Sequence, residues 1–238
     1  MALPPHKTKL ANLGNIDMDL SLSPKDVACK EQREKLIASM KTTAINRYNA
    51  SNRLSWQAKV TFSVSTLFSL GLIFIPLMQL AKAPLILNGD ILSAIQIFLA
   101  VAILVYSIII GTARFELRSE QLNDCGDKIK NLIRELRVVN IEDKSKEADI
   151  LKDFQKQYAT IIADVENHER SDYILTILRS PDLFQLSFLG RVNYCIKYYL
   201  LAIIPYITPI VLVTIELFLI TDMFGATSVF SPYLTASK

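Results

Sequence analysis

The chain has 238 residues, 51% of them hydrophobic and 21% charged, with a mean hydropathy of +0.29, which is too apolar for intrinsic disorder. Its formal charge of +3, from 26 basic against 23 acidic residues, is too balanced for a nucleic-acid binder. Two histidines and three scattered cysteines (Cys29, Cys125, Cys195) give no metal-ligand spacing, no CxxC pair and no disulfide framework.

In chain order, residues 1–23 are polar and aperiodic and are expected to form a flexible cytoplasmic tail; no cleaved targeting signal is expected there. From Pro24, with Ser23 as its N-cap, Leu36, Ile37, Met40, Ala44, Ile45 and Tyr48 recur at helical spacing and predict a helix over 24–59 that runs straight into a first span. The uncharged run 60–81 is 22 residues long and the run 91–113 is 23. Each can cross a hydrocarbon core of about 30 Å as a helix rising about 1.5 Å per residue. The connector 82–90, with Pro84, Asn88 and Gly89, is short enough to force these two spans into an antiparallel hairpin.

Lys25, Lys30, Arg33, Lys35, Lys41, Arg47, Arg53 and Lys59 precede the first span, whereas the connector has only Lys82, so the N-terminus is expected inside. Beyond the second span Leu122, Cys125, Ile129, Leu132, Leu136 and Val139 form an apolar seam, which predicts that span two continues as a helix into the cytoplasm. After a polar break over 140–145, Leu151, Phe154, Tyr158, Ile161 and Val165 repeat the pattern, and its continuation reaches His168 and Asp172. The two seams predict a helical hairpin over 114–180, ended by Arg179, Ser180, Pro181 and Asp182. A third uncharged run, 198–215, continues past Glu216 to 221 and predicts a third span within a helix over 181–221, leaving an external tail 222–238. The fold class is therefore an all-α membrane protein: an antiparallel two-span helical hairpin, extended by a cytoplasmic helical hairpin, plus a C-terminal third hydrophobic helix.

Thr61, Ser65 and Ser69 fall on one face of span one, and Ser93, Gln96, Ala100, Ser107 and Gly111 at steps compatible with one face of span two. Unsatisfied polar groups are costly in hydrocarbon, so these faces are expected to meet either another helix or a water-filled pathway shared between subunits. Gln96, a large amide, is the most informative of them. Neither of the first two spans holds an ionisable residue, which argues against a proton- or ion-coupled transporter. Glu216 lies 19 residues beyond Lys197, about 28 Å along a helix, and is expected near the far interface, snorkelling or ringing a pore mouth. Pro205 and Pro209 should bend this helix, and Tyr194, Tyr198 and Tyr199 resemble an aromatic belt. His168 is expected to hydrogen-bond a neighbouring helix or to act as a titrating switch. No nucleophile, metal set or second base accompanies it, so no enzymatic activity, metal or cofactor is expected.

The stretch Ala44-Ile45-Asn46-Arg47-Tyr48-Asn49-Ala50-Ser51-Asn52-Arg53-Leu54 resembles the entry motif of the SLATT domain, the two-span effector domain of bacterial conflict systems. Arg118-Ser119-Glu120-Gln121-Leu122 with Cys125, and Asn167-His168-Glu169 with Asp172-Tyr173, follow in the family's order, and the match over 31–178 resembles the subfamily found beside reverse transcriptases. The resemblance implies an oligomeric inner-membrane effector that forms a pore or perturbs the membrane in anti-phage defence. It implies triggering through a neighbouring-gene partner such as a reverse transcriptase or nucleotide-signalling protein; membrane lipid and further copies of the chain are the other expected partners, and the charge balance leads to no expected direct contact with nucleic acid. The positions matching the family pattern are Arg47, Arg53, Arg118, His168 and Asp172. Arg47 and Arg53, where a helix enters the membrane, can bind lipid phosphate or pair with acids of the hairpin. The third hydrophobic run falls outside this two-span core. A non-conducting adaptor that tethers a soluble defence enzyme is the alternative function.

Overall fold

The computed structural model describes residues 32–140 and 144–234; the expected tail 1–23, the Ser23 and Pro24 start signal, Lys25, Cys29, Lys30, residues 141–143 of the polar break and residues 235–238 lie outside them. No strand occurs among the described residues. Helix α1 (Gln32–Leu80) is unbroken over 49 residues, about 70 Å at the usual rise, so the helix does run straight from the charged region into the first apolar run. Lys82, at φ 52°, reverses the chain, and α2 (Gly89–Ala113) starts where Asn88 accepts a hydrogen bond from the Asp90 N–H at 2.8 Å.

The charged half of α1 packs along α3 (Phe115–Val138) and α4 (Lys144–Ala163). Leu36, Ile37, Met40 and Ala44 meet Ile129, Leu132 and Leu136 of α3 and Leu151 and Phe154 of α4 in one core. The α1–α3 pairing is antiparallel: Ser51 and Ser119 hydroxyls lie 3.1 Å apart, the Tyr48 hydroxyl donates to Asp127 Oδ1 at 2.8 Å, and Arg33 Nη2 donates to the Leu136 carbonyl. The Tyr48 ring can lie this close because position 126 is glycine, where a Cβ would stand 2.8 Å from it.

Three expected continuities are broken. Span two does not run on as one helix: Arg114, at φ 48° and ψ 43°, separates α2 from α3 with a left-handed residue. The α4 seam does not continue to His168 and Asp172 either. It ends at Ala163, and after an irregular segment α5 (Arg170–Arg179) begins with a reciprocal capping box between Glu169 and Asp172. Acidic residues at those two positions satisfy the first-turn N–H groups, which fixes a new helix start inside what reads as one seam.

The helix expected over 181–221 is likewise two. Helix α6 (Phe188–Ile203) and α7 (Ile207–Met223) are joined by a 3₁₀ turn, Ile204–Tyr206, at Pro205. Pro209 falls in the first turn of α7, where its missing N–H costs no intrahelical bond. Helix α7 packs on α1 and α2 through Leu219 and Met223 against Phe68, Ile75, Leu92 and Leu99. Its end meets the connector, where the Ile86 N–H donates to the Met223 carbonyl at 3.2 Å. A last short helix, α8 (Ser231–Leu234), follows a turn in which Asp222 accepts from the Val229 N–H at 3.1 Å.

Three stretches are long and apolar enough to cross a membrane, within Gln32–Leu80, Gly89–Val138 and Phe188–Met223, and only 22%, 11% and 17% of their most apolar windows is buried. Their remaining surface is a face for lipid or for other subunits.

Candidate functional site

At the charged end, the α1 segment 46–53 is a row of clasps onto α5 and the turn before it. The Thr176 hydroxyl donates to Asn46 Oδ1, which turns the Asn46 amide N–H₂ toward His168 Nε2 at 3.2 Å. Arg47 Nη1 donates to the Glu166 carbonyl and reaches Asn167 Oδ1 at 3.4 Å. Asn49 Nδ2 donates to the Asp172 carbonyl at 3.2 Å and to Thr176 Oγ1 at 2.9 Å.

Arg53 grips Asp172 with two parallel bonds, Nε to Oδ1 at 3.0 Å and Nη2 to Oδ2 at 3.1 Å, and holds Glu169 at 3.0 Å with Nη1. Of the two readings of Arg47 and Arg53, Arg53 fits the second, pairing with acids, whereas Arg47 meets a backbone carbonyl and an amide oxygen and no carboxylate. Asp172 is 2% exposed, so losing Arg53 would strand a buried carboxylate, a change that costs about 3–5 kcal/mol in buried pairs. The paired acids hold the Arg53 guanidinium above its ordinary value despite its burial. His168 is held below the ordinary histidine value by burial first and the Arg47 charge second.

Arg118 works at the joint. It forms an ion pair with Glu166, Nη2 to Oε2 at 2.9 Å, and its Nη1 reaches the Ala113 carbonyl at the end of α2 at 3.3 Å. Arg118 therefore ties the turn before α5 to the left-handed break at Arg114.

Above this joint a cleft of about 470 Å³ opens between α1 and α2, lined by Thr61, Ser65, Ser107 and Gly111, with Arg114 and Glu116 at its charged end. Among the described residues the Ser65 and Ser107 hydroxyls have no hydrogen-bond partner, and a Cβ on Gly111 would meet nothing within 4 Å. Ser69 and Ser93 are not part of it. Both are exposed, and their hydroxyls bond back to the carbonyls of Ser65 and Gly89 at 2.8 Å, which lets a hydroxyl face hydrocarbon at little cost. Thr61 is bonded in the same way, to the Gln57 carbonyl at 2.8 Å. This local satisfaction is why hydroxyl spacing alone marks no shared face.

Gln96 has a task inside the hairpin. Its Nε2 donates at 3.0 Å to the carbonyl of Leu72, four residues before Pro76 in α1. Pro76 has no N–H to give that carbonyl, so the Gln96 amide supplies the missing donor from the neighbouring helix. Of the two roles open to Gln96, this is the packing one.

Glu216 is neither snorkelling nor at the far interface. It is 4% exposed and lies against Gly71, where any Cβ would collide with its carboxyl group. Gly71 is the twelfth residue of the run 60–81, and Glu216 stands ten residues, about 15 Å, beyond Tyr206, so the carboxyl group sits near the middle of the crossing. The expectation counts from Lys197 along one helix, whereas the 3₁₀ turn at Pro205 divides that stretch into α6 and α7. Glu216 Oε1 has no hydrogen-bond partner, and the groove it shares with Leu67, Leu70, Phe74 and Leu77 is otherwise apolar.

A bundle clasped to one long helix that runs on into a three-helix apolar layer defines a helical membrane protein with a built-in membrane-proximal domain. The chain belongs to the SMODS and SLOG-associating 2TM effector domain family 5, whose model matches residues 29–220, and is thus a membrane effector of conflict systems. The match takes in α6 and nearly all of α7, so the third hydrophobic run belongs to the family domain and does not fall outside it. No curated protein and no solved structure matches the chain. Among the described residues no group of His, Cys, Asp and Glu is placed to hold a metal ion.

Proposed function

We propose that the chain is a non-enzymatic, homo-oligomeric effector of the bacterial inner membrane, with its N-terminus in the cytoplasm, that opens a pore or perturbs the bilayer when its charged-end bundle is triggered. The observation that carries this reading is the open cleft: Thr61, Ser65, Ser107 and Gly111 converge on a void that the described residues do not fill. Three crossing helices cannot enclose a water path alone, and symmetric association would bring such clefts around an axis. The left-handed Arg114 joins that cleft to the bundle, so a shift of α3 against the clasps would re-aim α2. A neighbouring-gene partner, such as a reverse transcriptase or nucleotide-signalling protein, would act on the exposed side of this bundle.

The test is membrane potential and propidium iodide entry in bacteria after induction of the chain, with and without its neighbouring gene and a defence trigger. The Ser65→Leu/Ser107→Leu double variant is run beside it. Depolarisation by the wild type, abolished by the variant at equal membrane abundance, is the expected result. A wild type that leaves the potential unchanged under every condition would favour a non-conducting adaptor that tethers a soluble defence enzyme.

A further inference from the structure

Where α1 leaves the charged bundle, a cavity of about 300 Å³ lies between α1, α5 and α6. Asn52, Trp56, Ser171, Arg179, Tyr198 and Tyr206 contribute to its wall, together with Arg53 and Asp172. Trp56 stands four residues before the apolar run 60–81 and Tyr206 immediately before α7, so the cavity sits at the level where the spans enter the membrane.

Its unpaired charge is positive. The Asp172 carboxylate is committed to Arg53 and to the Glu169 N–H, which bonds it at 2.9 Å. Among the described residues the Asn52 amide, the Trp56 indole, the Tyr198 and Tyr206 hydroxyls and the Arg179 guanidinium make no hydrogen bond or ion pair, and the Ser171 hydroxyl, on a residue 5% exposed, is buried without a partner; Trp56 and Arg179 can only donate, and the others can turn a donor toward a ligand. Asp172 and Glu169 are both set against Arg53, so Arg179 is the charge on this wall without an ion pair among the described residues. A complementary ligand is anionic and rich in acceptors. The volume suits a headgroup rather than acyl chains, and Ile196, Leu200 and Ile203 beside it on α6 are 54–64% exposed, a surface for those chains.

We infer that this cavity is a phosphoryl-binding site that takes the headgroup of an anionic phospholipid, with Arg179 as its charge partner and Ser171 and Asn52 as donors. The lipid would join α6 to the start of the spans beside the Arg53 clasp.

The test uses the full-length chain, delipidated in mild detergent and offered dioleoylphosphatidylglycerol, dioleoylphosphatidylcholine or millimolar inorganic phosphate, with lipid retention read by native mass spectrometry and stability by Tm. Arg179 is exposed, so Arg179→Gln should fold, and Arg137→Gln, an exposed arginine on α3, controls for net charge. The expected result is retention of phosphatidylglycerol over phosphatidylcholine and a raised Tm, unchanged in Arg137→Gln and weakened at least about tenfold in Arg179→Gln, as for loss of a charge-assisted hydrogen bond. Equal retention by Arg179→Gln and wild type, or equal retention of the two lipids, would overturn the site. Inorganic phosphate raising the Tm as far as phosphatidylglycerol does would overturn the lipid as its source and assign it to a soluble phosphate ester.

Discussion

Gln96 on α2 donates to the carbonyl of Leu72 on α1, the one carbonyl that Pro76 leaves without its helical partner. A proline in the middle of a span is expensive because the freed carbonyl has no water to turn to. Here the neighbouring helix answers it, and the same bond fixes the register of the hairpin.

This pairing predicts an interaction that a double-mutant cycle can read. Gln96→Leu should lower the Tm of the purified protein by an amount corresponding to about 1 kcal/mol, the usual scale of an interhelical hydrogen bond in a membrane. Pro76→Ala restores an N–H to the Leu72 carbonyl, so Gln96→Leu should cost much less in that background. Equal losses in both backgrounds would show that the amide matters for something other than the orphaned carbonyl. The cycle also bears on toxicity assays, since a Gln96 variant that loses activity can do so by loosening the hairpin.

Gly71 and Glu216 form a second matched pair, in which the absence of a Cβ on α1 makes room for a carboxyl group on α7. Gly71→Ala should destabilise the protein by about 1–3 kcal/mol, the cost of overpacking a filled site. Adding Glu216→Ala removes the colliding group, so the double variant should recover most of the membrane abundance and Tm lost in Gly71→Ala. If Gly71→Ala alone is as abundant and as stable as wild type, α7 does not pack on α1 in the membrane as it does here.

How much of this was legible in the sequence depends on the range over which each signal acts. The three apolar runs and the long first helix follow from local composition, and the seams of α3 and α4 from spacing of three and four. Breaks set by single residues were harder. Arg114 is not a glycine or an asparagine, so nothing in its type announces a left-handed backbone, and the Glu169–Asp172 capping box lies inside an intact apolar rhythm. The α6–α7 division was half visible, because Pro205 marks a bend but not which side of it enters the membrane. Tertiary matches left the weakest trace. That Gln96 serves Leu72 and that Gly71 seats Glu216 require knowing which helices touch. Pro76 is the one signal that was available, since an interior proline always leaves a carbonyl to be satisfied.

His168 makes the clasp sensitive to pH. With the Thr176 hydroxyl donating to Asn46 Oδ1, the Asn46 N–H₂ faces His168 Nε2, an arrangement that suits the neutral imidazole with Nε2 as acceptor. Burial, then the Arg47 charge, lower the folded pKa, while Asp172 opposes them. On acidification the unfolded chain, with a histidine near its ordinary value of about 6.5, takes up the proton first. The contribution to stability is therefore full above about pH 6.5 and is lost as the pH falls from there through the folded value. The Tm of the wild type should fall between pH 7.5 and 5.5 by more than that of His168→Gln, whose amide can still accept from Asn46 but cannot titrate. Identical slopes for the two proteins would remove His168 as the source of acid sensitivity. A steeper wild-type slope would mean that mild acid loosens the contact between α1 and the turn before α5, the clasp that Arg118 links to the joint at Arg114.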